Sequence, residues 1–93
     1  MDKIASAVVI SEQDNVATAT RNINTGEKVT ASVGSKTAEF PVKDNIKFLH
    51  KFATKDIKKG EKVLKYGGVI GEATRDIGRG EHVHTHNVRS LRA

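Results

Sequence analysis

The sequence predicts an all-β fold, a compact arrangement of short bent strands, on three observations. A strand–turn–strand motif is written three times, several segments alternate apolar and polar residues with period two, and no stretch carries the apolar spacing of a useful amphipathic helix. Ala19-Thr20-Arg21-Asn22-Ile23-Asn24-Thr25-Gly26-Glu27-Lys28-Val29 recurs as Ala53-Thr54-Lys55-Asp56-Ile57-Lys58-Lys59-Gly60-Glu61-Lys62-Val63, and again as Ala73-Thr74-Arg75-Asp76-Ile77-Gly78-Arg79-Gly80-Glu81-His82-Val83. The offsets of 34 and 20 are unequal, which argues against a solenoid, whose repeats stack at a fixed period. They suit a single domain, residues 1–93, built around three similar corners.

Each corner has a physical reading. Ile buries its side chain as one strand ends, two polar residues follow, Gly takes a positive φ, and Val resumes a strand facing inward. The remaining elements follow in order. Ile4 to Ile10 is an apolar run of seven residues, too short to span a bilayer and without the cleavage pattern of a signal peptide. Asn15 to Thr20 alternates as a strand, Lys36 to Val42 carries Phe40 and the single Pro, and Asn45 to Ala53 alternates cleanly. In that last strand Ile46, Phe48, His50 and Phe52 share one face, with Lys47, Leu49, Lys51 and Ala53 on the other.

Size and composition narrow the function. At 93 residues the chain makes one domain with one core. A pocket engulfing a metabolite takes about 300–1,000 Å³, so a self-sufficient enzyme is disfavoured against a module or subunit. The absence of Cys removes disulfide scaffolds, thiolate-bound zinc, iron–sulfur clusters and thiol catalysis, and the default compartment is the cytoplasm. The net charge of +5 attracts polyanions and small carboxylates alike. Its basic residues are spread through the repeats and the tail, Arg89 and Arg92, without a stripe or stacking platform, so neither nucleic acid nor membrane is an expected partner.

The third corner departs from the other two. After Gly-Glu the copies read Lys28-Val29-Thr30-Ala31-Ser32, Lys62-Val63-Leu64-Lys65-Tyr66 and His82-Val83-His84-Thr85-His86. Gly, Glu and Val are shared and read as structure. Three of the four His therefore fall on the strand face opposite Val83, where core packing does not ask for them. A His-x-His pair on a strand points two imidazoles the same way and can chelate one divalent ion, His82 with His84 or His84 with His86. On a regular strand His82 and His86 stand about 13 Å apart, too far to share one. The alternative is a solvated or hydrogen-bonded strand face. His50 reads either as a core histidine or as a desolvated neutral base, and Lys51 as a surface charge. Lys65-Tyr66-Gly67-Gly68 reads as a Tyr closing the core before a turn, or as a cation and a phenol set for binding.

His50-Lys51-Phe52-Ala53, Asp56-Ile57-x-x-Gly60-Glu61, Lys65-Tyr66-Gly67-x-x-Ile70-Gly71 and Ile77-x-x-Gly80-Glu81-His82-Val83-His84-Thr85-His86-Asn87 together resemble the N-terminal domain of the altronate/galactarate dehydratase family, an SAF (β-clip) domain. Asp14-Asn15-Val16-Ala17 followed by Gly26-Glu27 extends the resemblance over nearly the whole chain. The one departure is Leu49, where the family generally carries Gly.

The resemblance implies a small subunit of a hydro-lyase acting with a large dehydratase subunit on anionic sugar acids, with relatives among sulfolactate sulfo-lyases. It implies dependence on a divalent metal, Fe2+ or Mn2+, held here or on the partner. Such a reaction takes a base for the proton beside the carboxylate, a cation for the enediolate and an acid for the leaving group. On this reading His84 and His86 are metal ligands or acid–base groups and His50 is catalytic. Lys51, Lys65 and Tyr66 bind substrate with Asn87, which could also orient an imidazole. The rival readings are a non-catalytic carbohydrate- or acid-binding module of the same fold, and a solitary homo-oligomeric β domain.

Overall fold

The computed structural model describes residues 5–91; residues 1–4, where the Ile4 to Ile10 run begins, and the tail residue Arg92 lie outside them. The described residues are all β and form two sheets. Six strands order as β4(Lys36–Pro41), β3(Lys28–Val33), β1(Ala7–Val9), β2(Val16–Ala19), β5(Lys51–Ala53) and β8(His82–Val83). Three more order as β6(Lys62–Lys65), β7(Gly68–Ala73) and β9(Val88–Ser90). Only the β1–β3 pair among these is parallel. The chain thus has the predicted fold, an SAF or β-clip arrangement, and no described helix is long and apolar enough to cross a membrane.

All three predicted corners form, and the shared residues earn their places. Gly26, Gly60 and Gly80 each sit at φ +90°, a conformation that a side chain strains. The Glu that follows folds its carboxylate back onto the backbone three residues earlier. Asn24 N–H donates to Glu27 at 2.6 Å, Lys58 N–H to Glu61 at 2.6 Å and Gly78 N–H to Glu81 at 2.8 Å. The second and third corners then clasp each other. Ile57 and Ile77 exchange backbone hydrogen bonds, while Asp56 accepts from Arg79 N–H and Asp76 from Lys59 N–H, both at 2.9 Å.

The first corner is clasped in the same way by a fourth that the repeat search did not find. Ile23 and Ile46 exchange backbone bonds at 2.8 Å, Asn45 accepts from Thr25 N–H, and Asn22 accepts from Phe48 N–H. Leu49 N–H donates to Ala19 O at 2.9 Å, as Gly26 N–H does to Val42 O. Val42-Lys43-Asp44-Asn45-Ile46-Lys47-Phe48-Leu49-His50-Lys51-Phe52 is therefore a fourth copy in which Leu replaces Gly, His replaces Glu and Phe replaces Val. Leu49 holds φ +70°, the backbone the missing Gly would supply. The long strand expected over Asn45 to Ala53 is accordingly a corner, with strand structure only in β5, and its supposed inward face is split: Ile46 and Phe52 are buried while Phe48 is 56% exposed.

The single core expected from length divides along the same lines. Ala19, Ile23, Val29, Val42, Ile46 and Phe52, the framework positions of the first and fourth corners, form one apolar cluster with β1 and β3 residues. Ala53, Ile57, Val63, Ala73, Ile77 and Val83, the same positions in the other two corners, form the second together with Val16. Each large aliphatic here is essentially removed from water, worth about 1.5–3 kcal/mol apiece. The described residues form two pairs of clasped corners, which meet along β5 against β8 and also where Lys43 N–H donates to Gly80 O and Leu64 N–H to Asn15 Oδ1.

Candidate functional site

The β5–β8 seam collects the imidazoles. The antiparallel register pairs Phe52 with His82 and Lys51 with Val83, so the next step along brings His50 opposite His84. Their rings stack with centroids 4.5 Å apart. His50 Nδ1 lies 2.9 Å from His82 Nε2, and one nitrogen from each of His50, His82 and His84 falls within 4.8 Å of the others. His50 can reach this place because its side chain, standing where the other corners have a capping Glu, is not committed to the backbone.

Local backbone geometry holds the cluster open to solvent on one side. β8 ends at Val83, and His84 to Asn87 form a turn, so the regular strand expected through His86 does not form. The rings of His82 and His86 consequently stack at 5.2 Å, against the wide separation an extended chain would impose. Asn87 is the reason. Its side-chain oxygen accepts from His84 N–H at 3.0 Å, and its amide donates to His82 O at 2.8 Å. Asn87 is fully buried and clamps the turn that presents His82 and His84. Asp44, which sequence reasoning passed over, fixes the other end by accepting from His82 N–H at 2.9 Å.

Electrostatics favour neutral rings. Burial, then the charges of His84, Lys47 and Lys51, push the His50 imidazole below its usual value. Burial, then His86, His50 and His84, push His82 down, with Asp44 opposing. Neutral imidazoles present lone pairs, and a set of nitrogen donors this close suits a divalent transition ion. The donor chemistry therefore fits the metal the resemblance implies.

Beside the cluster runs an open groove of about 210 Å³ with Lys51 and His84 at its polar edge and Ile70, Val83 and Val88 along its apolar wall. Lys51 is half-buried, and burial followed by the nearby Lys65 lowers its ammonium below the usual lysine value. It is thus a constrained cation facing the groove rather than a plain surface charge. Lys65 Nζ sits 4.7 Å over the Tyr66 ring at the tip of the β6–β7 hairpin. Tyr66 is 62% exposed, so it does not close the core. Its backbone stands at φ +57° and its N–H, with that of Gly67, donates to the buried Asp14 carboxylate. The structure thus brings His50 and His84 together with Lys51, adds His82, leaves His86 stacked on the outer side of His82, and carries Tyr66 on a neighbouring hairpin. His82 was legible as a member of the His-x-His series. Asp44 left no signal until the fourth corner was recognised.

The family model for the altronate/galactarate dehydratase SAF domain matches residues 5–91. The chain is 44% identical over 85 residues to the altronate dehydratase of Bacillus subtilis (strain 168) and 42% identical over 83 residues to that of Escherichia coli (strain K12). These alignments take in 91% and 89% of this chain but 16% of each relative. It is also 46% identical over 57 residues to the (2R)-sulfolactate sulfo-lyase subunit alpha of Chromohalobacter salexigens, covering 61% of each.

Proposed function

Since the chain belongs to the altronate/galactarate dehydratase SAF-domain family, we propose that it serves a metal-dependent hydro-lyase, as the small subunit or module of a much larger cytoplasmic dehydratase acting on sugar acids or related hydroxy acids. The observation that carries this reading is the convergence of His50, His82 and His84 beside Lys51 at the edge of an open groove. A groove of this size, open on one side, holds part of an acid substrate; a larger unit laid across it supplies the rest of the enclosure.

The roles follow from the chemistry of removing water across two carbons beside a carboxylate. The Lys51 ammonium, at the groove edge, pairs with the substrate carboxylate and orients the adjacent carbon. His84, at the open side of the cluster, would hold the ion beside the substrate. His82 and His50 hold the His84 ring in position by stacking. His86, on the outer side and outside this ligand set, would take the proton from the carbon beside the carboxylate and pass it to the departing hydroxyl. The divalent ion, Fe2+ or Mn2+, would supply Lewis-acid stabilisation of the enediolate charge, and the nitrogens of His50, His82 and His84 are the donors that suit it.

A second reading has its own support. The chain is 46% and 44% identical to two sulfo-lyase alpha subunits over 57 and 50 residues, and the same base and cation would serve a reaction in which sulfite leaves in place of water. Co-expression with a large dehydratase unit of this family, followed by co-purification and an assay of 2-keto acid release from altronate, galactarate and sulfolactate, tests both. The proposal expects a stable complex whose turnover requires this chain. A large unit equally active without it would overturn the reading.

A further inference from the structure

The four histidines are divided between the halves of the molecule. His50 belongs to the fourth corner, which is clasped to the first, whereas His82 lies in the third corner, clasped to the second, and His84 follows it in the turn. The cluster therefore straddles the seam between the two apolar clusters, beside the short β5–β8 ladder and on the same seam as the Lys43 N–H to Gly80 O and Thr54 N–H to Asn15 O bonds. Each imidazole is presented by backbone that is already fixed. Leu49 at φ +70° precedes His50, Asp44 holds His82 N–H, and Asn87 grips both His82 and His84.

The donor nitrogens are already gathered. His50 Nδ1 and His82 Nε2 are 2.9 Å apart, in hydrogen-bond contact, and one nitrogen from each of the three rings lies within 4.8 Å of the others, so small ring rotations bring all three about one ion in place of that hydrogen bond. His84 shares the groove edge with Lys51, so an ion held here borders the groove.

We propose that His50, His82 and His84 form a divalent-metal site on this chain, whose occupation ties the two halves of the domain together. The site deepens the lyase reading, since it would place the ion that reading requires on this chain instead of on the larger unit. It also has a consequence independent of catalysis. An ion that binds only the folded seam stabilises the fold by mass action.

The test uses the full chain alone, with MnCl2, CoCl2, NiCl2 and ZnCl2 as probes. Calorimetric titration is expected to give one ion per chain, and an ion concentration a hundredfold above Kd to raise Tm by about 10 °C. His84→Ala, at the open side where folding does not depend on it, should weaken binding at least tenfold, and Lys36→Ala on the distant β3–β4 hairpin should leave it unchanged. In the unsubstituted chain, Mn2+ should selectively broaden the NMR signals of the His50, His82 and His84 rings. Either no stoichiometric binding or broadening centred on surface carboxylates would overturn the site as stated. Because these readouts involve no turnover, such a result removes the metal site while the activity of the assembled enzyme still judges the lyase reading separately.

Discussion

His50 stands in the fourth corner where Glu27 stands in the first, and the two side chains do opposite things. Both backbones make the same turn, His50 N–H donating to Lys47 O at 2.8 Å and Glu27 N–H to Asn24 O at 3.1 Å. The Glu27 carboxylate turns inward to cap Asn24 N–H, whereas the His50 ring turns outward to His82. A repeated structural corner has thus been converted into a functional one by exchanging its cap. The exchange gives up one charge-assisted hydrogen bond to the backbone and gains an imidazole at the seam.

The same comparison predicts the effect of restoring the missing glycine. Leu49 is 60% exposed and sits in the left-handed region, so Leu49→Gly loses little burial while relieving backbone strain. It should stabilise the chain by about 0.5–1 kcal/mol, raising Tm by about 5 °C in a thermal melt. A lowered Tm would mean that the Leu49 side chain contributes packing the structure does not show.

Two glycines at the same φ should respond unequally to alanine. A Cβ on Gly26 meets nothing within 4 Å, whereas one on Gly80 runs into the Pro41 carbonyl oxygen. Gly26→Ala therefore bears conformational strain alone, about 1–2 kcal/mol, and Gly80→Ala bears strain plus displacement of the β4 end, about 3 kcal/mol or more. Urea denaturation of both variants measures the difference; equal losses would contradict the steric account.

The fold was legible because the corner is a strict pattern. Ile, Gly, Glu and Val recur at fixed spacing, and each performs the task its chemistry suggests. The fourth corner escaped because three of its marker residues are replaced, although the six-residue interval from Ile46 to Phe52 equals that from Ile57 to Val63. For the site, the His-x-His series pointed to the right segment but to the wrong geometry. Alternation assumes an extended chain, and only the buried Asn87, whose amide closes a turn, converts His82 to His86 from a strand face into a cluster. His50 joins them through the seam between β5 and β8, a contact across 32 residues that no local pattern encodes.

Asn87 should consequently behave as a buried structural amide. Asn87→Ala leaves the partly buried His84 N–H and His82 O without their side-chain partner, at a cost of about 1–2 kcal/mol. It should also loosen the His84 turn, read as increased amide exchange at His84 relative to β2. A variant as stable as the unsubstituted chain would remove the clamp from the account.

The depressed imidazoles make a signed prediction for pH. His50 and His82 both have folded-state values below the usual one near 6.5, so on acidification the unfolded chain takes up these protons first. The stability they contribute is complete above about pH 6.5 and is lost as the pH falls toward the folded-state values. Tm should therefore drop between pH 7 and 5 in the metal-free chain, and His50→Gln should flatten the profile. A Tm that rises on acidification over this range would reverse the assigned direction.

Lys51 separates binding from chemistry. In the assembled enzyme Lys51→Met keeps the aliphatic stem along the groove and removes the cation, so KM should rise at least tenfold with a smaller change in kcat. An unchanged KM would place the carboxylate elsewhere.

The most direct test of the central claim, that this chain brings the imidazole cluster to a lyase active site, is the rate of 2-keto acid formation from altronate by the chain assembled with its large dehydratase unit, compared between the unsubstituted form and a His84→Ala variant shown to assemble equally well. The account predicts a fall in kcat of at least a hundredfold, as expected when a ligand of the catalytic ion is removed. Full activity in a correctly assembled His84→Ala enzyme would contradict it.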